Sequence, residues 1–143
     1  MIRFQTAKKK LATLWFIASG IIFILMILLS FDKLKNDLSD AWGWLFPNIL
    51  PTLTLILTIF FTDMQQANPQ NEKMVDKFYF KLSFYLSLFY LIVLLSTILS
   101  AGLGFDIMES MENSNFYLGP IQGIIGASLG LFFFKTQEQS LEE

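Results

Sequence analysis

The chain has no cysteine and no histidine, and only 15% of its 143 residues are charged. Without cysteine there is neither a disulfide framework nor a thiol nucleophile. Without histidine the commonest general base and a common transition-metal ligand are gone, and with them every Ser-His or Cys-His arrangement. Neither an enzyme nor a cofactor or metal site is therefore expected. The sequence also lacks a P-loop and a G-x-G-x-x-G turn. The formal net charge of −2 gives no electrostatic reason to bind nucleic acid.

The low charge also excludes an ordinary soluble domain, which carries about 25% charged residues. What fills its place is hydrophobic: 54% of all residues are hydrophobic and 16% of all residues aromatic, with a mean hydropathy of +0.54. These residues fall in four blocks separated by polar ones, too little to assemble a soluble core besides. The sequence predicts an all-α integral membrane protein, a single domain of four transmembrane helices at about 11–30, 45–61, 78–100 and 116–134.

The first block follows Arg3, Lys8, Lys9 and Lys10. At about twenty residues, roughly 30 Å as a helix, it is too long for the apolar core of a signal peptide, and reads as a signal anchor. The second is preceded by Trp42 and Trp44, an interfacial pair, and carries Pro47 in its expected first turn and Pro51 as an expected bend. An interfacial or short re-entrant piece over residues 42–51 is the alternative. Asn68, Pro69, Gln70 and Asn71 mark a turn before the third block, whose residues Ser83, Ser87, Tyr90, Leu94, Thr97 and Ala101 form one helical stripe. The fourth is expected to begin at an N-cap of Ser114 or Asn115.

Of the ten basic residues, Arg3, Lys8, Lys9, Lys10, Lys73, Lys77, Lys81 and Lys135 fall on one side of this arrangement, against Lys33 and Lys35 on the other. By the positive-inside rule both termini are expected in the cytoplasm, in a bacterial inner membrane. Asp106, Glu109 and Glu112 then face outward, as a solvated loop or as an acidic outer mouth, without the spacing of a calcium loop.

Gly119, Gly123, Gly126 and Gly130 share one face of the last helix, within an arc of roughly 60°. Glycines so placed let another backbone approach closely, and they are expected to pack either against helix two or three or against another subunit. Leucine should be disruptive at Gly123 or Gly126 and harmless at Ser128, on the opposite face. Gln122 flanks the glycine face as the one strongly polar side chain expected deep in a span. It is read as an interhelical hydrogen bond or a pore-lining group. Thr54, Thr58, Ser83 and Ser87 carry the same alternatives, helix packing or the lining of a wet path.

Apart from Lys81, which lies near the start of the third span and can snorkel back to the headgroups, no span is expected to contain Asp, Glu, Lys or Arg, which disfavours ion-coupled carriers and proton relays. The expectation is an oligomeric membrane protein that alters membrane permeability, with the lipid bilayer and further copies of itself as partners. Its general form occurs among bacterial pore-type and defence-associated membrane effectors, and among small accessory subunits. The alternative is a scaffold or sensor subunit that recruits a soluble cytoplasmic protein through Glu72, Lys73, Asp76 and Lys77.

Overall fold

A computed structural model describes residues 1–65 and 74–138. Its four helices are α1 (Phe4–Ser30), α2 (Leu38–Gln65), α3 (Lys77–Leu99) and α4 (Ile107–Glu138). All four are long and apolar enough to cross a membrane, and among the described residues no soluble domain accompanies them. Two short strands, β1 (Ile2–Arg3) and β2 (Met74–Val75), pair antiparallel with Ile2 opposite Val75.

Three of the helices begin earlier than hydropathy alone predicts, because their first turns are polar. In α1 the run Ala7-Lys8-Lys9-Lys10 is made of good helix formers and extends the apolar block towards the N-terminus. In α2 the helix starts about two turns before Leu45 and takes Asp40, Trp42 and Trp44 into its first turns. The chain is helical through residues 42–51, so there is no re-entrant piece, and Pro47 and Pro51 both sit inside the helix. In α4 the cap is Asp106, whose Oδ1 accepts the backbone N–H groups of Met108 at 2.9 Å and Glu109 at 3.2 Å. Ser114 and Asn115 are therefore internal to α4 and do not cap it. In α2 and α4 the positive end of the helix dipole accounts for Asp40 and Glu109 in the first turn.

The α3 helix is capped by Asp76, whose Oδ1 accepts from Phe78 N at 2.9 Å. It ends in a 3-10 turn, Ser100–Leu103, closed by Gly104 at φ +86°. That left-handed conformation is open to glycine and strained for other residues.

The helices alternate in direction. At one end β1 lies against β2, and Phe4 meets Phe132 and Phe133 with ring centroids 5.6 and 6.2 Å apart. At the other end Lys33, in the connection from α1 to α2, donates from Nζ to the carbonyl of Ala101 below α3. The core between them holds Trp15, Ile22 and Met26 of α1, Leu45, Ile49 and Ile56 of α2, and Met111, Leu118, Ile125 and Leu129 of α4. From α3 come Ser83, Ser87, Tyr90, Leu94 and Thr97, and Ala101 follows just beyond its end; all six are buried on one stripe.

Candidate functional site

The polar groups inside this bundle form a connected set. Asn48 is 7% exposed in α2, and its Nδ2 donates to the carbonyl of Trp44 at 2.7 Å. Tyr90 of α3 is fully buried and donates its hydroxyl to both oxygens of Asn48, the backbone carbonyl at 2.9 Å and Oδ1 at 3.1 Å. Trp44 donates from Nε1 to Ser114 Oγ at 2.9 Å, and Ser114 in turn donates to the carbonyl of Met111 at 2.6 Å. A chain of side chains thus ties α3 to α2 and α2 to α4. Low dielectric makes each of these bonds electrostatically stronger than it would be in water, and each broken one more costly.

Gln122 completes the set for a reason readable in the backbone. Pro51 has no N–H, so the carbonyl four residues earlier, that of Pro47, lacks its intrahelical donor. Gln122 Nε2 supplies a substitute at 2.8 Å. A backbone group freed by proline in a membrane helix is satisfied by a neighbouring helix in this way. Gln122 is an interhelical hydrogen bond across α2 and α4.

Above this bond, α2 and α4 part to leave an open cleft of about 640 Å³, lined by Asp40, Gly43, Asn48, Glu112, Gly119 and Gln122 among others. Of the acidic trio, only Glu112 lines the cleft, while Asp106 caps α4 and Glu109 sits in its first turn.

The remaining sequence-predicted residues are divided rather than gathered. Ser83 and Ser87 face the core. Ser83 Oγ donates to the carbonyl of Ser128 at 3.2 Å, so Ser128 lies half-buried towards α3 and is no neutral position. Thr54 and Thr58 face outward, Thr58 donating to the carbonyl of Thr54 at 2.8 Å. Within one protomer Ser83 and Ser87 therefore face away from Thr54 and Thr58 and share no path with them.

Gly119, Gly123 and Gly126 are exposed, and a Cβ built on any of them meets nothing within 4 Å. They do not pack against another helix of the same chain, because α4 turns a different arc inward, that of Met111, Leu118, Ile125 and Leu129. Gly130 is half-buried. On α2 a matching exposed face runs through Gly43, Pro47, Pro51, Thr54 and Thr58, and Gly43 is equally open. Of the cytoplasmic-loop residues, Asp76 caps α3 and Lys77 is exposed, while Glu72 and Lys73 lie outside the described residues.

Sequence reasoning passed over Asn48 and placed Lys8 outside its span. Asn48 sits between two prolines and reads as the start of a helix when the span is placed at Leu45. Lys8 belongs to α1 and is 2% exposed, with Nζ 4.8 Å from the ring centre of Phe60 and 5.5 Å from that of Phe4. The first span, like the third, contains a charged residue at its basic end. The methylenes of Lys8 lie in the core, and aromatic faces receive its head.

Among the described residues no group of His, Cys, Asp and Glu side chains could hold a metal ion. The helices and hydrogen bonds define a four-helix membrane protein stitched by side-chain bonds through its middle. No family model, curated protein or solved structure matches the chain.

Proposed function

We propose that the protein works as a homo-oligomer in a bacterial inner membrane, both termini in the cytoplasm, and that its assembly alters the permeability of that membrane as a pore or channel-type effector of a prokaryotic defence or stress system. The observation that carries this reading is the pair of small-residue faces on α2 and α4. Gly43, Gly119, Gly123 and Gly126 are unused in the packing of a single chain, and small residues in membrane helices are where backbones of separate helices meet closely. The sidedness rests on charge: Arg3, Lys8, Lys9, Lys10, Lys77 and Lys81 share the end where β1 meets β2, while the opposite end carries Asp32, Asp37, Asp40, Asp106, Glu109 and Glu112 against Lys33 and Lys35.

The test is ion and small-solute release from liposomes reconstituted with the protein, run beside cross-linking in the same vesicles. Oligomers with release above that of empty liposomes are expected, and Gly123→Leu should lose both. Release equal to empty liposomes overturns the proposal.

A scaffold role is favoured by a different observation. Pairing of β1 with β2 fixes the N-terminal residues beside the start of α3 and so presents a defined surface at that end, with Asp76 and Lys77 next to it. A soluble protein that co-purifies in fixed ratio and is lost on Lys77→Glu would favour this second reading.

A further inference from the structure

Three side-chain groups in the middle of the bundle are buried and have no protein partner: Trp15 Nε1 and Ser19 Oγ on α1, and Ser87 Oγ on α3. Their residues are 0%, 2% and 0% exposed. Trp15 and Ser19 are one turn apart on the same face of α1, and Ser87 is one turn from Tyr90 on the inner stripe of α3. The rings of Trp15 and Tyr90 lie 6.0 Å apart, which brings the two stripes together.

A serine in a membrane helix ordinarily satisfies its hydroxyl on a carbonyl of the preceding turn. Ser30, Ser96, Thr97 and Ser114 all do so here, at 2.6 to 3.1 Å. Ser19 and Ser87 do not, although the same carbonyls are within reach of any helical serine. A tryptophan N–H has no such local remedy, and an unmade bond to a buried donor shifts the folding equilibrium by roughly tenfold. Buried polar groups in this position are satisfied by ordered water, which needs two to four polar partners.

We infer that Trp15, Ser19 and Ser87 form an internal water site between α1 and α3, deep in the membrane-spanning part of a single protomer. The route to it is polar. Tyr90 stands between, its ring against Trp15 and its hydroxyl on Asn48, and Asn48 lines the open cleft between α2 and α4. Below Trp15 the same face of α1 continues with fully buried Leu11, a dry layer above Lys8.

The probe is bulk water itself, with the protein in lipid bilayers and magnetisation transfer from water read at the indole N–H groups by solid-state NMR. Three tryptophans give three indole signals, and Trp15→Phe identifies the one of interest. Transfer to Trp15 Nε1–H at least fivefold faster than to the backbone N–H of Leu94, sealed in the core, supports the site. Transfer no faster than to Leu94 overturns it.

Stability provides a second arm with opposite signs for the two cases. In a dry interior Ser19→Ala with Ser87→Ala removes two unpaired hydroxyls and leaves the protein as stable or more so, which overturns the inference. In a hydrated one the water loses its partners, the unfolded fraction rises at least fivefold, and the Trp15 transfer falls. Should the double variant fail to fold, the wild-type transfer measurement decides.

Discussion

The hydrogen bond from Gln122 to Pro47 should be worth holding only because Pro51 is there. Replacing Gln122 with leucine shortens the side chain by one atom and removes its donor, leaving the Pro47 carbonyl with no protein partner. Interhelical side-chain bonds in membranes average about 0.6 kcal/mol and reach about 1.7. A carbonyl stripped of its own helical donor belongs near the upper part of that range. The cleft moderates the cost, since Pro47 and Gln122 both line it and water can reach them. The expected loss is about 1 kcal/mol, a roughly fivefold shift in the unfolded-to-folded ratio.

The informative experiment repeats the substitution in a Pro51→Ala background. Alanine restores the N–H that faces Pro47 along the helix, so the carbonyl no longer depends on α4. Gln122→Leu should then cost less than about 0.3 kcal/mol, giving a coupling of at least about 0.7 kcal/mol between residues 51 and 122. Reversible unfolding in mixed detergent and lipid micelles, followed by helical circular dichroism, measures all four corners of the cycle. Equal costs in both backgrounds would refute the idea that Gln122 serves the gap left by proline.

Other substitutions separate packing from assembly. Gly123→Leu should leave unfolding within about 0.5 kcal/mol of wild type, because nothing lies within 4 Å of the new Cβ, while cross-linked oligomers in vesicles disappear. Ser128→Leu should do the reverse, costing about 1 to 3 kcal/mol by crowding α3 where Ser83 reaches its carbonyl; a stability unchanged from wild type would place Ser128 outside the core. Ser114→Ala leaves the Trp44 indole without its acceptor and should cost about 1 to 2 kcal/mol, read by unfolding, with a shift in tryptophan emission. Gly104→Ala forces a side chain onto a φ of +86° and should cost roughly 1 to 2 kcal/mol, with faster amide exchange over residues 104–106 as its local signature.

Hydropathy located the four spans because twenty apolar residues have few other uses, and the inner stripe of α3 was legible because small and hydroxyl residues recur there at helical spacing. The helix starts were not legible. Asp40, Glu109 and Glu112 read as loop by charge, yet each sits near the positive end of a helix, where a carboxylate is favourable. Lys8 was excluded from its span by the same habit. The glycine face shows the limit of composition: Gly119, Gly123 and Gly126 announce a surface that can be approached closely, but whether a neighbour comes from the same chain depends on which arc the larger residues claim. Leu118, Ile125 and Leu129 claimed the inward one. Asn48 was hidden by Pro47 and Pro51, which look like a helix beginning, and the pairing of Gln122 with the Pro47 carbonyl could be read only once α2 was known to be continuous through both prolines.

The ties at the two ends of the bundle have a mechanical consequence. Lys33 fastens the turn between α1 and α2 to the carbonyl of Ala101, and the pairing of Ile2 and Arg3 with Met74 and Val75 fastens the opposite end. Both ties run between the first hairpin and the second, so each resists sliding of one along the axis of the other. What they leave open is tilt. A pair of hairpins pinned at both ends and stitched across by Tyr90 to Asn48 and by Gln122 to Pro47 is freest at the mouth of the α2 and α4 cleft, beside Ser39, Asp40 and Met108, and any movement the protein makes should widen or narrow that mouth while the two end turns hold their distance.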